Sequence, residues 1–168
     1  MKLKNETLSK NFLIYGFGKS GISSLKYLKK KNRCFIFDDD KKKIKNKYKK
    51  FFISKSKLLN NNFDYIVISP GININRCQLS NYLKKNQKKV ITDFDIFYKF
   101  NPEVLTITIT GTNGKSTTSK LLYDILKKHH YDTRLTGNIG NPILEEKRVT
   151  KNTIFVIEAS SYQLAYSK

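Results

Sequence analysis

Tryptophan is absent from this 168-residue sequence, which also contains only two cysteines, three prolines and two alanines. Cys34 and Cys77 stand alone, without the paired spacing of a zinc site or a disulfide framework, so we expect a reduced, cytoplasmic protein. No apolar stretch reaches the roughly 20 residues of a membrane span, and the basic start MKLKNETLSK has no apolar signal segment behind it. We therefore predict no membrane insertion.

Acidic residues are scarce as well, with 13 against 33 lysines and arginines and a net charge of +20. A basic chain can bind nucleic acid through counterion release, but only with its cations gathered on one face or in a recognisable module. Here they are spread along the chain among abundant Asn, Ile, Phe and Tyr, residues that AT-rich codons encode. We attribute the charge to genome composition and predict no nucleic-acid partner. The densest basic run, at 41–50, we interpret as a solvated helix face.

Apolar runs at 12–15 and 34–37 flank a segment in which Ile22, Leu25 and Leu28 recur at helical spacing. This strand–helix–strand unit predicts an α/β fold with a parallel, Rossmann-like sheet. The same pattern predicts further strands at 63–69 and 90–91, a lysine-rich helix before residue 90 and a helix at 93–100.

The pattern restarts at Pro102, and we place a domain boundary there, between residues 1–101 and 102–168. Strands are predicted at 104–109 and 153–157, a helix whose apolar side carries Leu121 and Ile125 lies between them, and 136–142 reads as a turn-rich loop. So few strands do not close an α/β sheet, so we expect the second domain to be incomplete and the residues after about Asn138 to be loosely packed.

A glycine turn, GFGKSG at 16–21, opens the first predicted helix directly after a strand. Gly16, Gly18 and Gly21 allow a tight turn and a close ligand approach, and the helix N-terminus offers free N–H groups to a phosphate. Asp38 ends the next strand about 20 residues on, as in a dinucleotide-binding fingerprint. Taken alone, this predicts NAD. The alternative is a glycine turn that only packs a helix on a strand.

A second glycine loop, GTNGKST, follows the strand at 104–109. It matches the end of the phosphate-loop pattern GxxxxGK[ST], but Ile109 holds the place of the early glycine. In such loops the lysine meets the β- and γ-phosphates and the following hydroxyl coordinates Mg²⁺. We predict an ATP-phosphate site formed by Gly111, Thr112, Asn113, Gly114, Lys115, Ser116 and Thr117.

Glu158 ends the apolar strand at 153–157, the place where P-loop proteins carry the acid that supports Mg²⁺. Alone, a surface glutamate at a strand end would be the simpler interpretation. With Ser116 expected on a neighbouring strand, we predict a metal site made by Ser116 and Glu158, and catalytic roles for Lys115 and Glu158.

Four motifs occurring in order resemble the Mur ligase family, the ATP-dependent amide ligases of peptidoglycan synthesis: GFGKSG, SPGI at 69–72, GNIG at 137–140 and EASSYQL at 158–164. That family's phosphate loop reads GTxGK[ST] without the earlier glycine, so Ile109 matches the family's own variant. The last two motifs look different in sibling ligases. They resemble most the members that add D-glutamate to UDP-N-acetylmuramoyl-L-alanine.

The resemblance replaces NAD with the UDP of a nucleotide-sugar, which the family's Rossmann-like first domain holds, and makes the second domain an ATP-binding one of P-loop type. It places around the UDP-sugar Gly16, Gly18, Lys19, Ser20, Gly21, Asp38, Asp39, Ser69, Gly71 and Asn138. The sequence departs from the family in continuing the acid as Asp38-Asp39-Asp40, where a hydroxyl residue and a base are usual.

The implied reaction uses ATP and Mg²⁺ to convert the alanyl carboxylate into an acyl phosphate, from which the D-glutamate amine displaces phosphate. The resemblance implies a cytoplasmic monomer serving cell-wall biogenesis, cell shape and cell division. The family has three domains, so we expect this chain to end inside the second and not to complete the ligation alone. Three alternatives stay open: a non-catalytic nucleotide-sugar-binding remnant, an NAD-dependent oxidoreductase resting on GFGKSG alone and, last, a nucleic-acid binder.

Overall fold

The computed structural model describes residues 10–40 and 45–167, and its elements alternate between strand and helix. The strands are β1 (Asn11–Tyr15), β2 (Arg33–Phe37), β3 (Tyr65–Ile68), β4 (Val90–Ile91), β5 (Leu105–Ile109), β6 (Thr133–Gly137) and β7 (Ile154–Glu158). The α-helices are α1 (Lys19–Leu28), α2 (Lys55–Leu59), α3 (Ser80–Lys85), α4 (Asp93–Phe100), α5 (Lys115–Lys128) and α6 (Ser161–Tyr166). Short 3₁₀ helices occupy Asn46–Phe51, Gln87–Lys89 and Ile143–Glu145.

The strands form two sheets, in the orders β2-β1-β3-β4 and β5-β7-β6, and every pair is parallel. The predicted α/β class with parallel sheets is confirmed. Strands buried on both faces read as continuous apolar runs, as β1 and β7 do. Among the described residues, no helix is both long and apolar enough to cross a membrane.

The strand register gathers the polar motifs at one edge of each sheet. In the first sheet Tyr15 is level with Phe37 and with Ile68, so the segments that follow the three strands start side by side. In the second sheet Glu158 is level with Ile109 and with Gly137. Ligands of parallel α/β sheets bind outside the carboxyl ends of the strands, which is where these motifs lie.

Two expectations about the second half need correction, and a third holds only in part. Thr136 and Gly137 belong to strand β6 and not to a loop, and β7, far from being loosely packed, is the buried centre of its sheet. Helix α5 forms as predicted, but Leu121 on its apolar side is 60% exposed. In the first half, residues 41–44 of the basic run lie outside the described residues. The 3₁₀ helix Asn46–Phe51 contains 46–50, and of residues 45–50 all but the buried Tyr48 are exposed.

One hydrophobic cluster joins the two sheets. It includes Phe12 and Ile14 of β1 together with Phe155 and Ile157 of β7. At its centre the rings of Phe97 and Phe155 lie 4.7 Å apart between centroids. The two sheets fall on either side of Pro102, but because their cores are continuous, the division into two domains stays a prediction.

Candidate functional site

A cavity of about 730 Å³ lies where the carboxyl ends of β1, β2 and β3 meet the end of β6. Of the residues predicted to surround a UDP-sugar, all except Gly21 line it. Its walls come from residues 16–20, 38–40, 69–72, 93, 137–140 and 142. The fold therefore brings together segments more than a hundred residues apart, although their contact with a ligand stays a prediction.

The glycine turn between β1 and α1 depends on close backbone packing. A Cβ atom on Gly21 would lie 2.1 Å from the carbonyl oxygen of Gly16, so only glycine fits at this first turn of α1. The hydroxyl of Ser69 donates to the same carbonyl oxygen at 2.6 Å. The amide of Ile22 closes the first turn on Gly18, which leaves the preceding amides of α1 directed toward the cavity end.

Asp38 holds the turn from the other side. Its side chain is only 5% exposed. One carboxylate oxygen accepts the Phe17 amide at 2.5 Å, and the other accepts the Asp40 amide at 2.8 Å. Both oxygens are therefore already engaged by the backbone, and Asp38 shapes the wall of the cavity.

Asp39 is oriented by a buried tyrosine. The hydroxyl of Tyr15, at the end of β1, donates to Asp39 at 2.7 Å. Burial and this hydrogen bond raise the pKa of Tyr15 far above its usual value, so the phenol keeps its proton. Asp39 itself remains exposed at the rim. Asp39 stands where the Mur ligase family usually has a hydroxyl residue. The hydrogen bond from Tyr15 gives this departure a structural role.

Asp93, the first residue of α4, also lines the cavity, and sequence reasoning missed it. It accepts the Ser20 hydroxyl at 2.5 Å and is 5% exposed. Burial raises its pKa, although the Ser20 bond and the first amides of α4 act in the opposite direction. The sequence signal was available, since Thr92 and Asp95 form a capping box that fixes the start of α4, but it indicates only a helix start.

The GNIG segment joins the cavity to Glu158. Gly137 has a φ of +106°, and a Cβ there would lie 2.1 Å from the carbonyl oxygen of Glu158. The next amide, of Asn138, donates to that oxygen at 2.9 Å. The backbone of β7 at Glu158 and the cavity wall at Asn138 are therefore in direct contact.

The predicted ATP loop connects β5 to α5. Gly114 takes a left-handed conformation just before Lys115, the first residue of the helix, and the Lys115 ammonium lies 3.3 Å from the carbonyl oxygen of Thr112. Six of the seven loop residues, all but Lys115, are exposed. Because β5 pairs with β7, Glu158 is on the strand next to the loop, as the sequence had suggested.

Glu158 combines burial with an unpartnered oxygen atom. It is 4% exposed, and within the described ranges its Oε2 atom has no hydrogen-bond partner. The described part of the chain contains no cluster of three or more His, Cys, Asp or Glu residues that could hold a metal. Magnesium is usually held by one or two carboxylates together with substrate phosphates, so Glu158 beside an exposed phosphate loop fits this ion.

Comparisons with known proteins found similarity to one group of enzymes. Residues 109–168 match the Mur ligase middle domain. Over 171 residues the chain is 34% identical to a UDP-N-acetylmuramoylalanine–D-glutamate ligase of Caldicellulosiruptor saccharolyticus, covering 95% of this chain and 38% of that protein. A ligase of the same name from Rickettsia bellii is 34% identical over 158 residues, 92% of this chain and 34% of its own length.

Residues 109–168 belong to the Mur ligase middle-domain family, and nearly the whole chain is similar to the two ligases just named. The chain spans little more than a third of the length of the curated relatives it matches. Among solved structures, the UDP-N-acetylmuramate:L-alanyl-gamma-D-glutamyl-meso-diaminopimelate ligase from Neisseria meningitides aligns with a TM-score of 0.47 at 13% identity. That alignment covers 92% of this chain and 55% of the other.

Proposed function

We propose that this chain forms the UDP-sugar site and the ATP-phosphate loop of a ligase that adds D-glutamate to UDP-N-acetylmuramoyl-L-alanine. The observation that carries the proposal is the single cavity into which GFGKSG, the end of β2, SPGI and GNIG all converge. The names of the relatives support the same substrate.

In the proposed complex the diphosphate lies at the N-terminus of α1. The free amides there and the helix dipole favour an anion, and Lys19 adds a cation at the rim. The nearest acid of the turn, Asp38, does not oppose this binding strongly, because its carboxylate is engaged by two backbone amides. Asn138, exposed on the cavity wall, is available to the sugar side of the ligand.

The chemistry requires activation, because a carboxylate does not condense with an amine in water. An oxygen of the alanyl carboxylate attacks the γ-phosphorus of ATP, the bond to ADP breaks, and an acyl phosphate forms. The D-glutamate amine then attacks the carbonyl carbon, loses a proton and expels phosphate to leave the amide. The protein contributes position and charge rather than covalent bonds.

Lys115 and Glu158 supply that charge in the proposed site. Lys115 starts α5, where its ammonium can leave the Thr112 carbonyl for the β- and γ-phosphates. Glu158 and Ser116 would hold Mg²⁺, which neutralises charge on the transferred phosphoryl group. The contact between the Asn138 amide and the Glu158 carbonyl oxygen keeps the two ligand sites in fixed relation.

Calorimetric titration of this 168-residue chain tests the proposal. We expect it to bind UDP-N-acetylmuramoyl-L-alanine and, independently, ATP with Mg²⁺. Lys115→Ala should weaken ATP binding about 10- to 100-fold, the range for a hydrogen bond to a charged group, and leave UDP-sugar binding unchanged. Binding of the UDP-sugar without any binding of ATP would instead support a nucleotide-sugar-binding module. Binding of NADH in place of the UDP-sugar would overturn the proposal.

A further inference from the structure

Ser20 occupies a decisive position at the proposed diphosphate site. It is the second residue of α1, so its amide is one of the free donors of the helix N-terminus, and the residue lines the cavity. In the structure the hydroxyl donates to Oδ2 of Asp93 at 2.5 Å. This contact joins the N-terminal turns of α1 and α4, which are 73 residues apart in sequence.

The Asp93 carboxylate is almost withdrawn from water. The residue is 5% exposed, and its Oδ1 atom has no hydrogen-bond partner within the described part of the chain. An ionised carboxylate buried with one oxygen unsatisfied is costly, and protonation relieves part of that cost. An O–O distance of 2.5 Å accommodates a hydrogen bond in either direction, from the Ser20 hydroxyl to an ionised Asp93 or from a protonated Asp93 to the Ser20 oxygen.

The number of protons in this contact decides what Ser20 can offer a ligand. A hydroxyl has one proton, and phosphate oxygens of a diphosphate diester only accept. While Asp93 is ionised, the Ser20 hydroxyl donates its hydrogen bond to Asp93 and can offer the cavity only its lone pairs. If Asp93 is protonated, it can donate to Ser20, and the Ser20 proton becomes available to a phosphate oxygen.

We propose that Ser20 and Asp93 form a proton relay, so that binding of the diphosphate takes up one proton from solvent onto Asp93. The bound arrangement runs from the Asp93 carboxyl to the Ser20 oxygen and from the Ser20 hydroxyl to a phosphate oxygen. No covalent bond other than O–H changes. The inference rests on the proposed UDP-sugar site and adds to it a proton-linked step.

The neighbouring charge on α4 favours the protonated form. Besides Asp93, the titratable groups lining the cavity are Lys19, Asp38, Asp39 and Asp40. Asp95 on the same helix also raises the pKa of Asp93, after the larger effect of burial. An incoming diphosphate adds further negative charge, which raises the pKa again in the complex.

The test is the pH dependence of binding of UDP-N-acetylmuramoyl-L-alanine between about pH 5 and about pH 8, measured by calorimetry in buffers of different ionisation enthalpy. In wild type, the relay predicts that binding takes up at most one proton. In the pH range where Asp93 is ionised in the free protein and protonated in the complex, the Kd should rise by up to about tenfold per pH unit. Uptake of no proton across this range would overturn it.

Variants separate the relay from simple charge repulsion. Asp93→Asn keeps a donor for Ser20, so it should bind at least as tightly as wild type near pH 8 and lose the pH slope. Ser20→Ala should lose about tenfold in affinity at low pH, whereas Ser20→Thr retains the hydroxyl and the slope. Asp40→Asn removes the same charge from the cavity but should leave the slope in place. A persistent slope in Asp93→Asn, or weaker binding by that variant, contradicts the relay.

Two further measurements keep the outcome decisive. Carbon-13 NMR of the Asp93 carboxyl in wild type should show its pKa rising when the ligand binds, whether or not a variant folds. Inorganic pyrophosphate serves as a second probe, with its own proton uptake subtracted. Proton uptake with pyrophosphate but no binding of the UDP-sugar would contradict only the proposed function. Binding of the UDP-sugar without proton uptake would contradict only the relay. Binding of neither probe would contradict both.

Discussion

The carboxylate of Asp38 is the fixed point of the glycine turn, since two backbone amides donate to it. We expect Asp38→Asn to destabilise the fold by about 1–3 kcal/mol, because one acceptor becomes an NH₂ group facing an amide donor. UDP-sugar affinity should fall with it. Thermal unfolding checks the effect, with Asp124→Asn, a change on the exposed face of α5, as the matched control. Weakened binding with unchanged stability would mean that Asp38 acts only on the ligand.

Gly21 tests the packing of the same turn. Its added Cβ would overlap the Gly16 carbonyl oxygen, whereas at Gly18 nothing lies within 4 Å of the added atom. We therefore expect Gly21→Ala to unfold the turn and lower stability by about 1–3 kcal/mol, as overpacking does. Gly18→Ala should have a much smaller effect on thermal unfolding. Equal effects of the two substitutions would show that the close packing at Gly21 is not what holds the turn.

Among the secondary-structure elements, the end of β6 determines the geometry of the proposed ATP and Mg²⁺ site. Gly137→Ala would place a Cβ 2.1 Å from the Glu158 carbonyl oxygen, at a positive φ. The strand must separate from β7 there, so we expect weaker binding of both Mg²⁺·ATP and the UDP-sugar. Gly71→Ala meets no atom within 4 Å and serves as the stability control. Unchanged ATP binding in Gly137→Ala would argue against coupling between Asn138 and Glu158.

Asp132 attaches the start of β6 to the start of β7. Its side chain accepts the Thr153 hydroxyl at 2.7 Å, which, with Arg134 nearby, lowers the pKa of Asp132 below its usual value. A lowered pKa stabilises the fold above the unfolded-state value, and this contribution is lost as the pH falls through the folded-state value. Asp132→Asn should therefore be less stable than wild type at neutral pH, with the difference shrinking in acid. Parallel stability curves would contradict this.

The secondary-structure elements also show which features could be predicted from the sequence and which could not. The unit β1–α1–β2 followed directly from apolar runs around a glycine turn, and its register put Asp38 beside that turn. Strand β6, TRLTG, was missed because a single large apolar residue, Leu135, gives no strand period. Asp93 was missed because its role depends on a residue of α1 brought near by folding, which no local pattern reports.

At the scale of the whole molecule, a shared hydrophobic core joins the two sheets. Phe97 of α4 and Phe155 of β7 are 2% and 0% exposed, and their rings meet between the sheets. The ion pair of Lys26 with Glu145 also crosses this junction, but it is exposed and contributes little. Apolar contact, rather than charge, therefore holds the proposed UDP-sugar cavity against the strand that carries Glu158.

This junction predicts cooperative unfolding. Phe155→Ala should cost about 3–5 kcal/mol, and the double-mutant cycle with Phe97→Ala should give a coupling of about 0.5–1.5 kcal/mol, the range for an aromatic pair. Hydrogen exchange should show amides of β1 and β7 opening together in wild type. Leu121→Ala, at an exposed site on α5, is the control and should change stability little. If β7 exchanges freely while β1 stays protected, the second sheet opens independently, and the boundary at Pro102 separates two domains in the energetic sense as well.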